Sequence, residues 1–201
     1  MTEFPTVRVA AVQATPVILD AAASVEKAVK LIEEAAGHGA QLVVLPETFI
    51  PLYPSNAWAR GASAFSGWDD LWERLWEESV DVPGPHVAAL EAACARLGVW
   101  LALGVNERES ERPGSLYNTL LLIGPEGLVH KHRKLMPTQH ERLFHGIGEG
   151  GDLGVTATEV GRVGGLICWE NRMPLARFAM YAQGVDIWVA PTLATHEPWV
   201  A

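Results

Sequence analysis

The sequence predicts a layered α/β fold, and three observations carry that prediction. A helical stretch stopped by glycine and followed by a short Val/Leu/Ile-rich strand recurs three times along the 201 residues. The strands of these repeats are apolar without alternation, the pattern of strands covered on both faces. Between the second and third repeats the pattern becomes that of a β-hairpin, so strands fed by helices are mixed with antiparallel ones.

The elements follow in order. Val7 to Gln13 is rich in Val and Ala and breaks at Thr15-Pro16, which predicts a buried strand. Val25, Ala28, Val29, Ile32 and Ala36 share one helical face, with Asp20 or Ser24 as N-cap and Gly37 as the stop. Gln41 to Leu45 is the strand of this first repeat. Residues Pro51 to Asp81 read as an insertion, in which Trp68, Trp72 and Trp76 fall at i, i+4 and i+8 among acidic residues, as in an amphipathic helix. The second repeat places a helix from Pro85 to Leu97, a stop at Gly98 and a strand from Val99 to Asn106. Cys94 lies inside that apolar helix and is expected in the core. The hairpin pairs Tyr117–Ile123 with Leu128–Lys134 across Gly124-Pro125-Glu126-Gly127. Gly146 to Gly154 is glycine-rich but too short for a linker and is read as a functional loop. Gly161 to Cys168 is a further strand, and the third repeat runs from Pro174 through Tyr181 and Gly184 to a strand at Val185–Pro191.

Composition narrows the function classes. With 49% hydrophobic and 19% charged residues the chain can build a sizeable core, and 1–201 reads as one domain. Its net charge of −9, with scattered Lys and Arg, argues against a nucleic-acid partner. No apolar run approaches the roughly 20 residues of a bilayer span, and Met1 to Pro16 lacks the pattern of a secretory signal, so the expectation is a cytoplasmic protein without a membrane partner. Two cysteines, Cys94 and Cys168, suit a reducing compartment.

Three strand ends carry reactive groups. Glu47 follows Leu-Val-Val-Leu-Pro, Lys134 closes the hairpin strand, and Cys168 closes Val163-Gly-Gly-Leu-Ile. A lone carboxylate, lysine or cysteine in such a place has a bland explanation. Together they supply the base, cation and nucleophile that covalent attack on a carbonyl or nitrile carbon requires. A thiol of ordinary pKa, about 8.5, needs the other two to react near neutrality. The histidines at 130, 132, 140 and 145 do not complete a metal-ligand pattern, and covalent attack by a thiol requires neither metal nor organic cofactor, so none is expected.

These motifs, Leu45-Pro46-Glu47-Thr48-Phe49, His132-Arg133-Lys134-Leu135-Met136-Pro137-Thr138 and Cys168-Trp169-Glu170-Asn171, resemble those of the nitrilase superfamily of carbon–nitrogen hydrolases, in the same order and over essentially the whole chain. Cys168 to Pro174 and the later Tyr181-Ala182-Gln183-Gly184 resemble the nitrilase branch, since amidase and carbamoylase branches usually follow the cysteine differently. The resemblance implies an αββα sandwich, here C-terminally incomplete because family chains continue past the strand near Pro191. It also implies Glu47, Lys134 and Cys168 as the catalytic set and Glu141 as a second carboxylate beside the lysine. Asn118 lies in a segment the family shares and is read as structural. Tyr53 and Trp169 are the expected substrate-binding residues, with Trp58 a further aromatic of the pocket.

The chemistry so implied is hydrolysis of a nitrile to the acid and ammonia through a thioimidate and a thioester, with release of the amide as the other exit. Two alternatives stay open: an amidase or N-carbamoyl hydrolase of the same superfamily, and an inactive fragment or homologue acting only through association. A homo-oligomer, a dimer or larger, is implied by the resemblance alone.

Overall fold

A computed structural model describes residues 5–54 and 68–193. Among the described residues nine strands form two sheets. The first has the order β1 (Val9–Ala11), β2 (Leu42–Val44), β4 (Trp100–Arg108), β5 (Leu116–Gly124), β6 (Gly127–Arg133), with β3 (Val80–Asp81) also pairing with β4. β1, β2 and β4 run parallel, whereas β4, β5 and β6 are antiparallel. The second sheet has the order β7 (Val155–Thr158), β8 (Gly161–Gly165), β9 (Ile187–Val189).

Side-chain alternation builds the layers. Val43, Leu45, Leu101, Leu103, Val105, Leu121 and Ile123 meet helices α1 (Ala21–Gly37) and α3 (Pro85–Leu97) through Val25, Ile32, Val87 and Leu90. From the other face of the same strands, Leu42, Trp100, Ala102, Leu120 and Leu122 pack on Val160, Val163, Ile167 and Val189 of the second sheet. Helix α4 (Pro174–Ala182) covers the far side with Ala176 and Met180 against Leu166. The result is the expected αββα stack.

Most expected elements form with shifted ends. Asp20 is the N-cap of α1, accepting the Ala23 N–H at 2.8 Å, while Ser24 bonds Val17 instead. The reversal after α1 falls on Gly39 (φ +82°), two residues past the expected stop. Gly98 ends α3 in the left-handed conformation, as read.

Three expectations need correction. The first strand is short and lies at a sheet edge, so Val9 stays 44% exposed rather than buried. The strand expected to reach Cys168 stops at Gly165, and Cys168 instead opens a 3₁₀ turn, Cys168–Arg172. The hairpin of β7 with β8 was not foreseen, because four residues reading Val-Thr-Ala-Thr carry too weak a pattern. Within Pro51–Asp81 the structure shows helix α2 (Trp68–Glu77), whose Trp72 and Trp76 stack at 5.6 Å and pack around Leu75, Leu116 and Phe144. Trp58 lies outside the described residues.

Candidate active site

Both sheets deliver side chains to one place. Glu47 stands on the turn after β2, and that turn lies hard against β4. A Cβ on Gly104 would come within 2.5 Å of the Thr48 nitrogen and 2.7 Å of the Glu47 Cα, so only glycine lets the turn sit there. Lys134 follows β6, whose last residue Arg133 is fixed by ion pairs to Glu107 and Glu109 and lies over the Tyr117 ring at 3.9 Å. Glu141 sits on the 3₁₀ turn Gln139–Leu143, where its carboxylate takes the Thr138 N–H as in a capping box. Cys168 opens the turn after β8 with φ +49°.

The Lys134 ammonium donates to Glu47 Oε1 at 2.7 Å and to Glu141 Oε2 at 2.8 Å, with lysine and both carboxylates almost wholly buried. Asn118 Nδ2 donates to the same two carboxylates, at 2.8 and 2.9 Å. The amide read as structural is thus a second bridge between the acids. The other oxygen of Glu47 accepts the Leu193 N–H at 2.9 Å. The Cys168 thiol points at the Leu193 carbonyl at 3.9 Å and lies close enough to Glu47 and Lys134 for both charges to act on it. Tyr53 is partly buried within electrostatic reach of Glu141, Glu47 and Cys168. The four residues of the expected catalytic set and Tyr53 are therefore brought together. The Trp169 ring is 52% exposed and stacked by Arg172 at 4.5 Å, so its backbone, rather than its ring, meets the cluster.

Electrostatics assign the resting protonation states. Burial pushes Glu47 above the ordinary carboxylate range, the Glu141 charge adds to this, and Lys134 opposes it. Burial acts on Glu141 in the same sense, but Lys134 and the hydrogen bonds it accepts hold it below that range. Burial would lower Lys134, yet the two carboxylates keep it raised and charged. Two carboxylates around one ammonium make an arrangement whose spare basicity resides on Glu47. The Cys168 thiol is pushed up to about 12, first by burial and then by the Glu47 charge, with Lys134 opposing. Cys168 is therefore a neutral thiol near a carboxylate that can take its proton.

Backbone strain gathers at the same spot. Of the four non-glycine residues with positive φ among the described residues, Thr48, Gln139 and Cys168 flank or belong to the cluster. The Asn171 amide donates to the Leu166 and Cys168 carbonyls, at 2.8 and 2.9 Å, and braces the strained turn.

One signal for Glu141 lay in the sequence: Thr138-x-x-Glu141 has capping-box spacing. Nothing local marked Asn118. Cys94 is fully buried in α3, as expected.

The family of carbon–nitrogen hydrolases matches residues 8–201. A bifunctional nitrilase/nitrile hydratase of Lupinus angustifolius is 44% identical over 98% of this chain and 56% of its own length. An aliphatic nitrilase of Sinorhizobium fredii is 43% identical over 100% of this chain and 64% of its own. The chain thus spans between about half and two-thirds of these relatives. Among solved structures, an amidase from Nesterenkonia sp. superposes with a TM-score of 0.72 at 21% identity, over 96% of this chain and 68% of that one. Saccharomyces cerevisiae Nit3 gives 0.72 at 24% identity, over 96% and 66%. With the two-sheet architecture and the family match in agreement, the chain belongs to the carbon–nitrogen hydrolase family.

Proposed function

We propose that the chain hydrolyses nitriles to carboxylic acids and ammonia, with Cys168 as nucleophile. The observation that carries this reading is the protonated thiol beside a carboxylate whose own pKa is raised and which a buried ammonium holds at 2.7 Å. The nitrilase names of relatives at 42–44% identity support the nitrile as substrate.

Glu47 takes the thiol proton as the sulfur adds to the nitrile carbon, and that proton passes to the nitrogen to give a thioimidate. Lys134 and backbone N–H groups stabilise the charge that develops. Glu47 then deprotonates a water that adds to the same carbon. Glu47 returns that proton to the nitrogen and relays the hydroxyl proton to it as the carbonyl forms, so that ammonia leaves and a thioester remains. A second water cleaves it to the acid and returns the thiol. Glu141 keeps Lys134 placed and charged, and Tyr53 lines the substrate side of that pair. Trp169 shapes the mouth of the site.

The same tetrahedral intermediate can expel the thiol instead, which releases an amide. Several relatives bear the name bifunctional nitrilase/nitrile hydratase, which favours this as a second exit. The reading extends to a single domain over 1–201, to a reducing, cytoplasmic setting in keeping with two free cysteines, and to self-association, which the exposed Leu175 and Phe178 of α4 would serve.

The test is ammonia release from a nitrile and amide panel by the purified chain beside Cys168→Ala, with products identified. Cysteine-dependent acid or amide from nitriles supports the reading. Turnover of amides or N-carbamoyl compounds alone replaces it with that of an amidase or carbamoyl hydrolase. Turnover that survives Cys168→Ala overturns the nucleophile.

A further inference from the structure

A second ion cluster, with His132 and Glu170 buried and Asp152 partly exposed, adjoins the first and is not used by the mechanism above. His132 is 1% exposed, and its Nδ1 stands 2.9 Å from Asp152 Oδ1, while its Nε2 stands 3.1 Å from both oxygens of Glu170. Glu170 has no exposed surface, and its oxygens also accept the Ile167 N–H at 2.7 Å and the Leu135 N–H at 2.6 Å. Asp152 Oδ2 accepts the Arg133 N–H at 2.8 Å. Since both ring nitrogens face carboxylates, both carry protons and His132 is an imidazolium.

The backbone partners show what the cluster does. Arg133 and Leu135 are the residues on either side of Lys134, and Ile167 is the residue before Cys168. Lys134 belongs to the first sheet and Cys168 to the second, so their relative placement depends on how the two sheets are joined. Glu170 accepts from both sides of that joint with one carboxylate. The loop carrying Asp152 presses on the same strand end: the Gly148 N–H donates to the Lys134 carbonyl at 2.9 Å, and a Cβ on Gly148 would collide with the Arg133 carbonyl oxygen.

We propose that Asp152, His132 and Glu170 are positioning residues that clasp the Lys134 strand end to the Cys168 turn, and that turnover requires His132 to remain doubly protonated. Three charged or titratable groups face His132: Asp152 from the glycine-rich loop, Glu170 from the turn after β8, and His130 on its own strand. Burial would strip its second proton, but hydrogen bonds and charge from the two carboxylates outweigh burial and raise it to about 9. The clasp therefore loosens as pH rises through that value, because a neutral ring can donate to only one of its carboxylates.

The turnover arm of the test rests on the proposed hydrolytic reading; two other arms need no substrate. The proteins are wild type, Glu170→Gln, Glu170→Asp and Asp152→Asn. The readouts are iodoacetamide alkylation of Cys168 at pH 8, resolved from Cys94 by peptide mass, the ring-nitrogen NMR shifts of His132 against pH, and kcat and KM. Misplacement of reacting groups by about 1 Å costs on the order of 100-fold, so kcat of Glu170→Gln should fall by about that factor with KM little changed. Its Cys168 should alkylate at least about tenfold more slowly. Its His132 should lose the second proton at lower pH, and Glu170→Asp should recover part of each. A folded Glu170→Gln with wild-type alkylation and turnover would overturn the clasp, as would a wild-type His132 that titrates near its ordinary value. If Glu170→Gln does not melt cooperatively, Asp152→Asn decides: a lower kcat with an earlier alkaline limb supports the clasp, and an unchanged profile ends it. Slowed alkylation in a chain whose wild type turns over nothing would keep the clasp and sink the hydrolytic reading.

Discussion

Two ion clusters of the same formal composition lie close together in this fold. Glu47, Glu141 and Lys134 put two carboxylates around an ammonium, and Asp152, Glu170 and His132 put two around an imidazolium. They differ in how fully the acids are occupied. Both Glu170 oxygens are bound by backbone N–H groups as well as by the ring. Glu47 faces a thiol, takes a single backbone N–H, and has its pKa raised. Near it Thr48 Oγ1 and Asn118 Oδ1 are buried without a partner among the described residues. A buried ion cluster becomes reactive where its hydrogen bonding is incomplete, and rigid where it is complete.

The comparison breaks most visibly at the nucleophile. Cys168→Ala should lower turnover by at least about 10⁴-fold while a thermal melt moves little. Glu47→Gln keeps the shape of the turn but loses the proton acceptor, and kcat should fall by about 10²- to 10⁴-fold without loss of folded signal. Such a small effect on stability would mark the first cluster as reactive rather than structural. The second cluster should behave in the opposite way, through pH. His132 is raised from 6.5 to about 9, so its contribution to stability is fully present below 6.5 and is lost as pH climbs through 9. A gap of that size corresponds to about 3 kcal/mol, to be read from denaturant midpoints between pH 6 and 10. Replacement of His132 by Gln should flatten that dependence.

Smaller effects sharpen the contrast. Gly104→Ala drives a methyl into the Glu47 turn and should cost about 1–3 kcal/mol in stability, with a loss of kcat larger than that loss of stability accounts for. Glu141→Gln removes a charge that raises Glu47, so the acid limb of kcat/KM should move to lower pH. An acid limb that stays in place would show that Glu141 does not set the basicity of Glu47.

Much of this was legible in the sequence, for identifiable reasons. The helix–glycine–strand phrases located α1, α3 and α4 with the strands that follow them, because the central strands are covered on both faces and read as unbroken apolar runs. The hairpin of β5 and β6 was visible through its turn residues. β7 is short and half-exposed and gave no periodic signal. The turn at Cys168 reads as strand because Leu166 and Ile167 are as apolar as the strand they leave, whereas local bonds of the Asn171 and Glu170 side chains and a bond from the Cys168 N–H to the distant Pro191 carbonyl bend the chain there. Glu47, Lys134 and Cys168 could be grouped because each ends an apolar run. Asn118 could not, since an asparagine inside a strand carries no mark of the two carboxylates it bridges. His132 and Glu170 stood in the motifs, but their partnership joins elements 38 residues apart.

The bonds that assemble the site also order its appearance in time. Asn118 reaches Glu47 across 71 residues, Lys134 across 87 and Leu193 across 146. Contacts of such separation are slow to close and form late. A chain emerging from the ribosome holds its base, lysine and thiol apart until residue 193 has been made and the second sheet has docked. The intermediates along the way carry the thiol apart from the carboxylate and the ammonium whose charges act on it in the finished fold.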